Sequence, residues 1–100
     1  MQYRKLPHGN EEISILGIGT SSIGMAGQSE IEKTAALALE SGINYFDMAS
    51  SDAHPFEAFG RAAAGRRENV YFQIHFGADY QSGKYGWTTN LDTIKRSVDW

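Results

Sequence analysis

Apolar positions recur at helical spacing in three stretches of the chain. The first predicts a helix over 30–41, with Ser29 and Glu32 placed as a capping box at its start. The second predicts a helix over 55–64 that opens with a proline, a residue suited to the first helical position. The third follows a capping segment at 89–92, and its apolar stripe runs to the end of the chain without a stop signal.

Strand signals lie before and between these helical stretches. Two short runs, 2–6 and 12–16, flank a turn cluster and predict a β-hairpin. Residues 44–47 predict a short buried strand. Residues 70–76 predict the clearest strand, because apolar and polar side chains alternate there, and the apolar side is expected to face the helices. The segment 77–88 is predicted to be a long loop.

The alternation of strands and helices predicts an α/β fold, a parallel sheet with right-handed crossovers preceded by a hairpin. Three βα units cannot close a barrel of eight, since a (β/α)8 barrel takes roughly 250 residues. We therefore expect either a small open sheet or the N-terminal portion of a (β/α)8 TIM barrel, and the last helix, which lacks a stop signal, favours the second. A single partial domain over 1–100 would leave its first and third strands as unpaired edges, which predicts aggregation or poor folding cooperativity.

Composition narrows the function classes. The chain has 100 residues, a formal charge of -3 and 21% charged residues, which gives no electrostatic reason to expect nucleic acid as a partner. No apolar run approaches the length of a membrane span, so no membrane contact is expected. Cysteine is absent, which excludes disulfides and thiolate metal sites within these residues and is compatible with a cytoplasmic location.

Two side chains with acid–base chemistry lie at the ends of neighbouring predicted strands. Asp47 ends the strand 44–47, and His75 lies near the end of 70–76. Because the carboxyl ends of parallel strands meet at one edge of a sheet, we expect the two side chains to lie close together. A carboxylate neighbour favours the imidazolium form of histidine, so the pair is a candidate proton donor. A polar contact that merely orders two strand ends is the alternative.

Glycines interrupt the apolar stretch that follows the hairpin. Gly17, Gly19 and Gly24 match neither the spacing of the dinucleotide-binding fingerprint nor that of a Walker loop. The apolar residues 13–18 instead predict a strand whose glycines let the backbone pass close to a neighbour or a ligand.

Several segments together resemble the first third of an aldo-keto reductase. These are the hairpin residues 3–6 and the segments 16–20, 42–49 and 57–61. The resemblance extends over essentially the whole chain, and it implies a (β/α)8 barrel, the cofactor NAD(P)H and hydride transfer to a small-molecule carbonyl substrate. It also implies that Gly19, Thr20 and Ser21, at the end of the first barrel strand, lie beside the nicotinamide ring.

The chain departs from the family at the catalytic positions. Aldo-keto reductases use an Asp, a Tyr, a Lys and a His at the C-terminal face of the barrel, and Asp47 matches the family Asp. Asp52 and Ala53 stand where the family Tyr is expected, and His75 aligns with the family Lys. The family His would lie beyond Trp100. The usual proton donor is therefore missing from its usual place.

Three hypotheses address the missing tyrosine, which is the usual proton donor. A protonated His75 could donate the proton, a tyrosine of the long loop (Tyr80 or Tyr85) could reach over the barrel mouth, or the site has lost reductase chemistry. In the last case, the chain would be an inactive NAD(P)-binding or structural barrel protein.

A metal-dependent hydrolase on a similar barrel is a further alternative, because hard and borderline ligands gather near the strand ends. These ligands are Asp47, Asp52, His54 and His75. The resemblance is closest to a divergent branch whose full-length members carry a C-terminal iron–sulfur segment. An iron–sulfur cluster would require a segment beyond Trp100, since residues 1–100 contain no cysteine.

Overall fold

A computed structural model describes residues 1–100 and shows three α-helices, seven short strands and two short 3-10 helices, Ile23–Met25 and Arg67–Asn69. In chain order the strands and α-helices are β1 (Tyr3–Lys5), β2 (Glu12–Ser14), β3 (Ile18–Gly19), α1 (Gln28–Glu40), β4 (Tyr45–Met48), α2 (His54–Ala63), β5 (Tyr71–Ile74), β6 (Ala78–Asp79), β7 (Gly86–Trp87) and α3 (Leu91–Asp99). None of the helices combines the length and the apolar character that crossing a membrane requires.

The centre of the fold is a three-stranded parallel sheet in the order β3-β4-β5. Helix α1 connects the first two strands and α2 connects the second pair, so the α/β alternation expected from the sequence is confirmed. The sheet is open, and β3 and β5 are its edges, as predicted. In the register, Phe46 of β4 lies beside Ile18 of β3 and Phe72 of β5.

Side chains alternate along β4 between the helix-covered face and the opposite face. Phe46 and Met48 are buried beneath α1 and α2, whereas Tyr45 and Asp47 lie on the other face and are half-buried. The core beneath the helices comprises nine buried residues: Ile31, Ala35, Ala38, Phe46, Met48, Ala58, Phe59, Ala63 and Val70. Small alanines on both helices allow α1 and α2 to pack closely against each other.

The hairpin β1–β2 is tied to the sheet through Asn44, the residue before β4. Its side chain accepts a hydrogen bond from the Ser14 amide at 2.8 Å and donates one to the Glu12 carbonyl at 2.9 Å. Tyr3 adds a hydrogen bond to the carbonyl of Gly42 at 2.8 Å. The predicted hairpin is confirmed, and it closes the amino-terminal end of the sheet.

The helices match the predicted stretches, but the capping box at Ser29 is wrong. Helix α1 begins at Gln28 after Gly27, so Ser29 lies inside the first turn and makes no capping hydrogen bond. The cap of α3 is as expected, because the Asn90 side chain accepts a hydrogen bond from the Thr93 amide at 3.0 Å.

Strand β5 is shorter than the sequence predicts, and its apolar side is only partly covered. The strand ends at Ile74, so His75 lies directly after it. Phe72 packs against the core, but Ile74 is 48% exposed and Phe76 is 84% exposed. The expectation that this whole side faces helices is therefore wrong beyond Phe72, because β5 is an edge strand and the chain turns away at Gly77.

The predicted loop 77–88 contains a small antiparallel hairpin, β6–β7. Gly77 opens it with a φ of +84°, a conformation that favours glycine, and its carbonyl accepts a hydrogen bond from the Thr88 amide at 2.8 Å. Strands of two residues are too short to leave an alternating pattern, so the sequence did not indicate them.

Candidate functional site

Asp47 and His75 meet at the carboxyl end of the parallel sheet. Asp47 lies in β4 on the face opposite the core, and His75 directly follows β5, the neighbouring strand. The His75 Nε2 atom lies 2.7 Å from the Asp47 Oδ1 atom, within hydrogen-bond distance. The side chains are 45% and 37% exposed respectively, so the pair is open to solvent. The expected proximity of the two strand ends is present, and His75 donates this hydrogen bond when its Nε2 atom carries a proton, either in the neutral Nε2–H tautomer or in the imidazolium.

The strand end that carries Asp47 is held by Thr20, which is fully buried. The Thr20 hydroxyl donates a hydrogen bond to the Asp47 carbonyl at 3.0 Å and accepts one from the Ala49 amide at 2.7 Å. Its side chain therefore joins the ends of β3 and β4. This contact uses the hydroxyl of Thr20, one of the three residues that the family resemblance places beside the nicotinamide ring.

The other two residues predicted to lie beside a nicotinamide ring, Gly19 and Ser21, are exposed at the end of β3. A Cβ placed on Gly19 would meet no atom within 4 Å, so the space beside it is open. At Gly17, by contrast, the backbone passes close to a neighbouring side chain, since a Cβ there would lie 2.6 Å from the Tyr45 ring. Gly17 thus fits the close-packing prediction, and Gly19 leaves room for a ligand.

A polar row continues down the sheet face from the Asp47–His75 pair. The Tyr45 hydroxyl donates a hydrogen bond to the Gln73 side chain on the adjacent strand. The sequence indicated this mixed side of β5 through its alternation, and the structure pairs it with the same face of β4. The polar groups satisfy one another across the strands, which costs less than leaving them unpaired at a partly covered surface.

The hairpin β6–β7 folds over this end of the sheet and pairs with the segment that follows β4. The Tyr85 amide donates to the Ser51 carbonyl at 2.8 Å, and the Ala53 amide donates to the Gly83 carbonyl at 2.9 Å. Residues 50–53 therefore hold the hairpin by backbone hydrogen bonds. No sequence pattern predicts this pairing, because it is made by backbone groups, which every residue carries.

A cleft of about 620 Å³ lies between the hairpin and the strand ends. It is lined by Ala49, Ser50, Ser51, Asp52, His75, Tyr80, Lys84 and Tyr85. A smaller and mostly apolar cleft of about 260 Å³ adjoins His75 on the side of α3. His75 therefore borders both a polar space and an apolar one, an arrangement suited to an organic substrate with a polar reacting group.

Tyr80 cannot readily serve as the missing proton donor. Its side chain is buried, and its hydroxyl donates a hydrogen bond to the Ser50 carbonyl at 2.8 Å. Burial raises the pKa of the Tyr80 phenol above its ordinary value, although the contact with Ser50 partly offsets the change. The ring packs against Phe56 and Trp100, with centroid distances of 4.7 and 6.2 Å. Tyr80 therefore anchors the hairpin.

Asp52 also connects this segment to the hairpin. Its Oδ1 atom lies 3.2 Å from the Lys84 Nζ atom. The hydrogen bond from Lys84, followed by that from Ser51, holds the pKa of the Asp52 carboxyl below its ordinary value of 3.8. A depressed folded-state pKa means that Asp52 stabilises the docked hairpin above pH 3.8, and that this contribution disappears as the pH falls through the lower folded-state pKa.

We therefore expect Asp52→Asn to speed amide hydrogen exchange at Tyr85 near neutral pH, because the hairpin loses its ionic contact. The ratio of variant to wild-type exchange rates should approach one as both proteins are taken below the depressed folded-state pKa of Asp52, where its carboxyl protonates. Nuclear magnetic resonance measures both exchange rates at the same pH. Taking their ratio removes the intrinsic pH dependence of exchange. A ratio of one throughout the pH range would show that the ion pair does not hold the hairpin.

The four residues considered as metal ligands do not form one cluster. Asp47 contacts His75 and Asp52 contacts Lys84, while the His54 Nε2 atom lies 3.3 Å from the Ala26 carbonyl oxygen. Nowhere in residues 1–100 do three or more His, Asp or Glu side chains gather in a position to hold a metal ion. The hydrolase alternative therefore lacks its ligand set.

No protein-family model matches the chain, and no curated protein sequence matches it. Among solved structures, the chain is similar to a crystal structure of a Pseudomonas aeruginosa protein that is provisionally named an aldo-keto reductase. The similarity covers 97% of this chain at 25% sequence identity, with a TM-score of 0.72. It covers 39% of the other protein, so the chain spans about two fifths of that length. The similarity supports a relation to the aldo-keto reductase fold.

Proposed function

We propose that the chain functions as an NAD(P)H-dependent oxidoreductase of the aldo-keto reductase type, acting on a carbonyl or alcohol substrate. The observation that carries this proposal is the 2.7 Å contact between Asp47 and His75 at the carboxyl ends of adjacent parallel strands. The similarity to a provisionally named aldo-keto reductase supports the same reaction class. The pair borders a cleft that is open to a small molecule.

His75 takes the role of proton donor in this proposal. Carbonyl reduction places negative charge on the carbonyl oxygen, and a group that gives up a proton there lowers the barrier. Asp47 would accept a hydrogen bond from the His75 Nε2–H group and so orient the ring. His75 occupies the position where the family resemblance places a lysine, and in this proposal it also supplies the proton that the missing tyrosine would have given.

A Cβ on Gly19 would meet no atom within 4 Å, and Ser21 is exposed, so this end of β3 leaves room for the nicotinamide end of NAD(P)H. Bound there, the cofactor would supply the hydride for the carbonyl carbon. Thr20 would act indirectly, since its hydroxyl holds the Asp47 strand end rather than pointing to a ligand. An iron–sulfur cluster does not fit residues 1–100, because they offer no thiolate.

We further propose that residues 1–100 form the N-terminal portion of a (β/α)8 barrel domain. The parallel order β3-β4-β5 with helices on one face provides three successive barrel units. The similarity covers 39% of a longer chain, about the share that these units would take. The remaining strands of such a barrel would supply further cofactor contacts.

An inactive NAD(P)-binding protein is the second candidate. It is favoured by one observation: Asp52, at the position expected for the catalytic tyrosine, pairs with Lys84 and so serves to hold the hairpin. A barrel that only binds the cofactor would retain the Gly19 space and would not need a proton donor.

The test is a turnover assay of the protein with NADH and NADPH against a panel of aldehydes and ketones. We expect loss of reduced nicotinamide that depends on the carbonyl and is matched by alcohol formation. Cofactor binding measured by calorimetry, with no turnover on any carbonyl, would establish the inactive alternative. Absence of both binding and turnover would exclude both candidates.

A further inference from the structure

We infer that Tyr85, on the hairpin β6–β7, is a further catalytic residue whose hydroxyl donates a hydrogen bond to the carbonyl oxygen of the substrate. This inference rests on the proposed reductase function and names a second contact to the same reacting atom. Tyr85 is 55% exposed and lines the 620 Å³ cleft together with His75.

Three of the five tyrosines have hydroxyls that are already used within the protein. Tyr3 and Tyr80 each donate to a backbone carbonyl at 2.8 Å, and Tyr45 donates to the side chain of Gln73. Moving any of these hydroxyls to a substrate would break an existing hydrogen bond, and for the buried Tyr80 that loss would be costly.

The remaining two tyrosines differ in where they lie. Tyr71 is at the amino-terminal end of β5 and lines a different cleft, beside Asn10 and Asn44. Tyr85 lines the cleft at the carboxyl end of the sheet, and its hydroxyl makes no hydrogen bond within the chain. Tyr85 is thus the tyrosine that both has a free hydroxyl and lines the cleft that His75 borders.

The position of Tyr85 is fixed on three sides. Its amide donates to the Ser51 carbonyl at 2.8 Å, and its ring packs edge-on against Tyr80 at a centroid distance of 5.8 Å. The adjacent Lys84 is paired with Asp52 at 3.2 Å. Residues 52–53 lack the tyrosine that the family resemblance leads us to expect. The hairpin β6–β7, which this segment holds in place, instead brings Tyr85 to the same cleft.

His75 and Tyr85 would have different roles in the reaction. As a hydride reaches the carbonyl carbon, the carbonyl π bond breaks and its electron pair moves to the oxygen, which takes a proton from the His75 imidazolium. The imidazole left behind regains a proton from solvent. Tyr85 keeps its proton and stabilises the developing negative charge by hydrogen bonding, a contact that is stronger in the transition state than in the ground state.

The test compares Tyr85→Phe with Tyr71→Phe in the turnover assay. Both substitutions remove one tyrosine hydroxyl and keep the ring, and Tyr71→Phe controls for the substitution at the other end of the sheet. We expect Tyr85→Phe to lower kcat by about tenfold to a hundredfold, because the transition state loses one hydrogen-bond donor. The effect should lie at or below the usual cost of losing an oxyanion donor, since the site is partly exposed to solvent. KM should change much less, since the contact strengthens in the transition state.

A structural role for Tyr85 would give a different result. If the ring alone mattered, Tyr85→Phe would retain the wild-type kcat, and that outcome would overturn the inference while leaving the reductase function intact. Equal losses in Tyr85→Phe and Tyr71→Phe would also overturn it. Turnover absent from the wild-type protein overturns the proposed function itself, and this inference with it.

Discussion

Replacing His75 by alanine is expected to lower kcat for carbonyl reduction by about a hundredfold to ten-thousandfold, the usual contribution of a general acid. The substitution removes the imidazole that lies 2.7 Å from Asp47 and leaves no other proton donor in contact with that carboxylate. Cofactor affinity should change little, because the Gly19 space belongs to another strand. Steady-state kinetics with NAD(P)H, together with calorimetric titration of the cofactor, separates the two effects.

His8 offers a matched control for this experiment. It lies exposed in the turn between β1 and β2, at the opposite end of the sheet, so His8→Ala should retain the wild-type rate. Asp47→Asn should fall between the two, because it keeps a hydrogen-bond partner for His75 but replaces a charge-assisted contact with a weaker neutral one. A wild-type kcat in His75→Ala would exclude His75 as the donor.

The central pair of the site could be predicted because it depends on fold topology. Asp47 and His75 are 28 residues apart in the chain, and strand alternation plus parallel pairing is enough to bring them together. The observed role of the Thr20 hydroxyl, which joins the ends of β3 and β4, could not be predicted in the same way. Its partners, the Asp47 carbonyl and the Ala49 amide, are backbone groups, and every residue type carries them, so no sequence pattern indicates these hydrogen bonds.

The hairpin β6–β7 shows the same limit for the fold. Each of its strands has two residues, which is too short for periodicity, and it is fixed by contacts to residues 50–53 distant in sequence. The helix boundaries depend on local chemistry and were predicted within two residues, apart from the cap of α1. There Gly27 takes the cap position, and the serine that fits the sequence motif lies inside the helix.

The wrong expectation for the apolar side of β5 has a different cause. Its alternation correctly separated the apolar residues from the polar ones, but alternation reports only which residues share a face. Phe72 lies toward the core, beneath the Arg67 guanidinium at 5.0 Å, while Phe76 lies beyond the strand and is exposed. Coverage of a face depends on neighbouring elements, so it required the structure.

This contrast between buried and exposed phenylalanines leads to the largest expected effect on stability. Phe59 of α2 is 1% exposed, and its ring meets Phe46 of β4 edge-on at a centroid distance of 5.1 Å. Phe59→Ala should lower the free energy of unfolding by about 3–5 kcal/mol, because it removes a buried aromatic side chain and leaves a cavity. Urea unfolding followed by circular dichroism measures the change.

Phe76→Ala makes the same chemical change at an 84% exposed position, so it should alter the free energy of unfolding by less than about 1 kcal/mol. A loss of about 3–5 kcal/mol is a large share of the roughly 5–15 kcal/mol that stabilises a typical domain. Phe59→Ala should therefore also disorder β4, the strand that holds Asp47 against His75. Equal effects of the two substitutions would mean that α2 does not pack on β4 as the structure has it, and the placement of Asp47 would then lose its support.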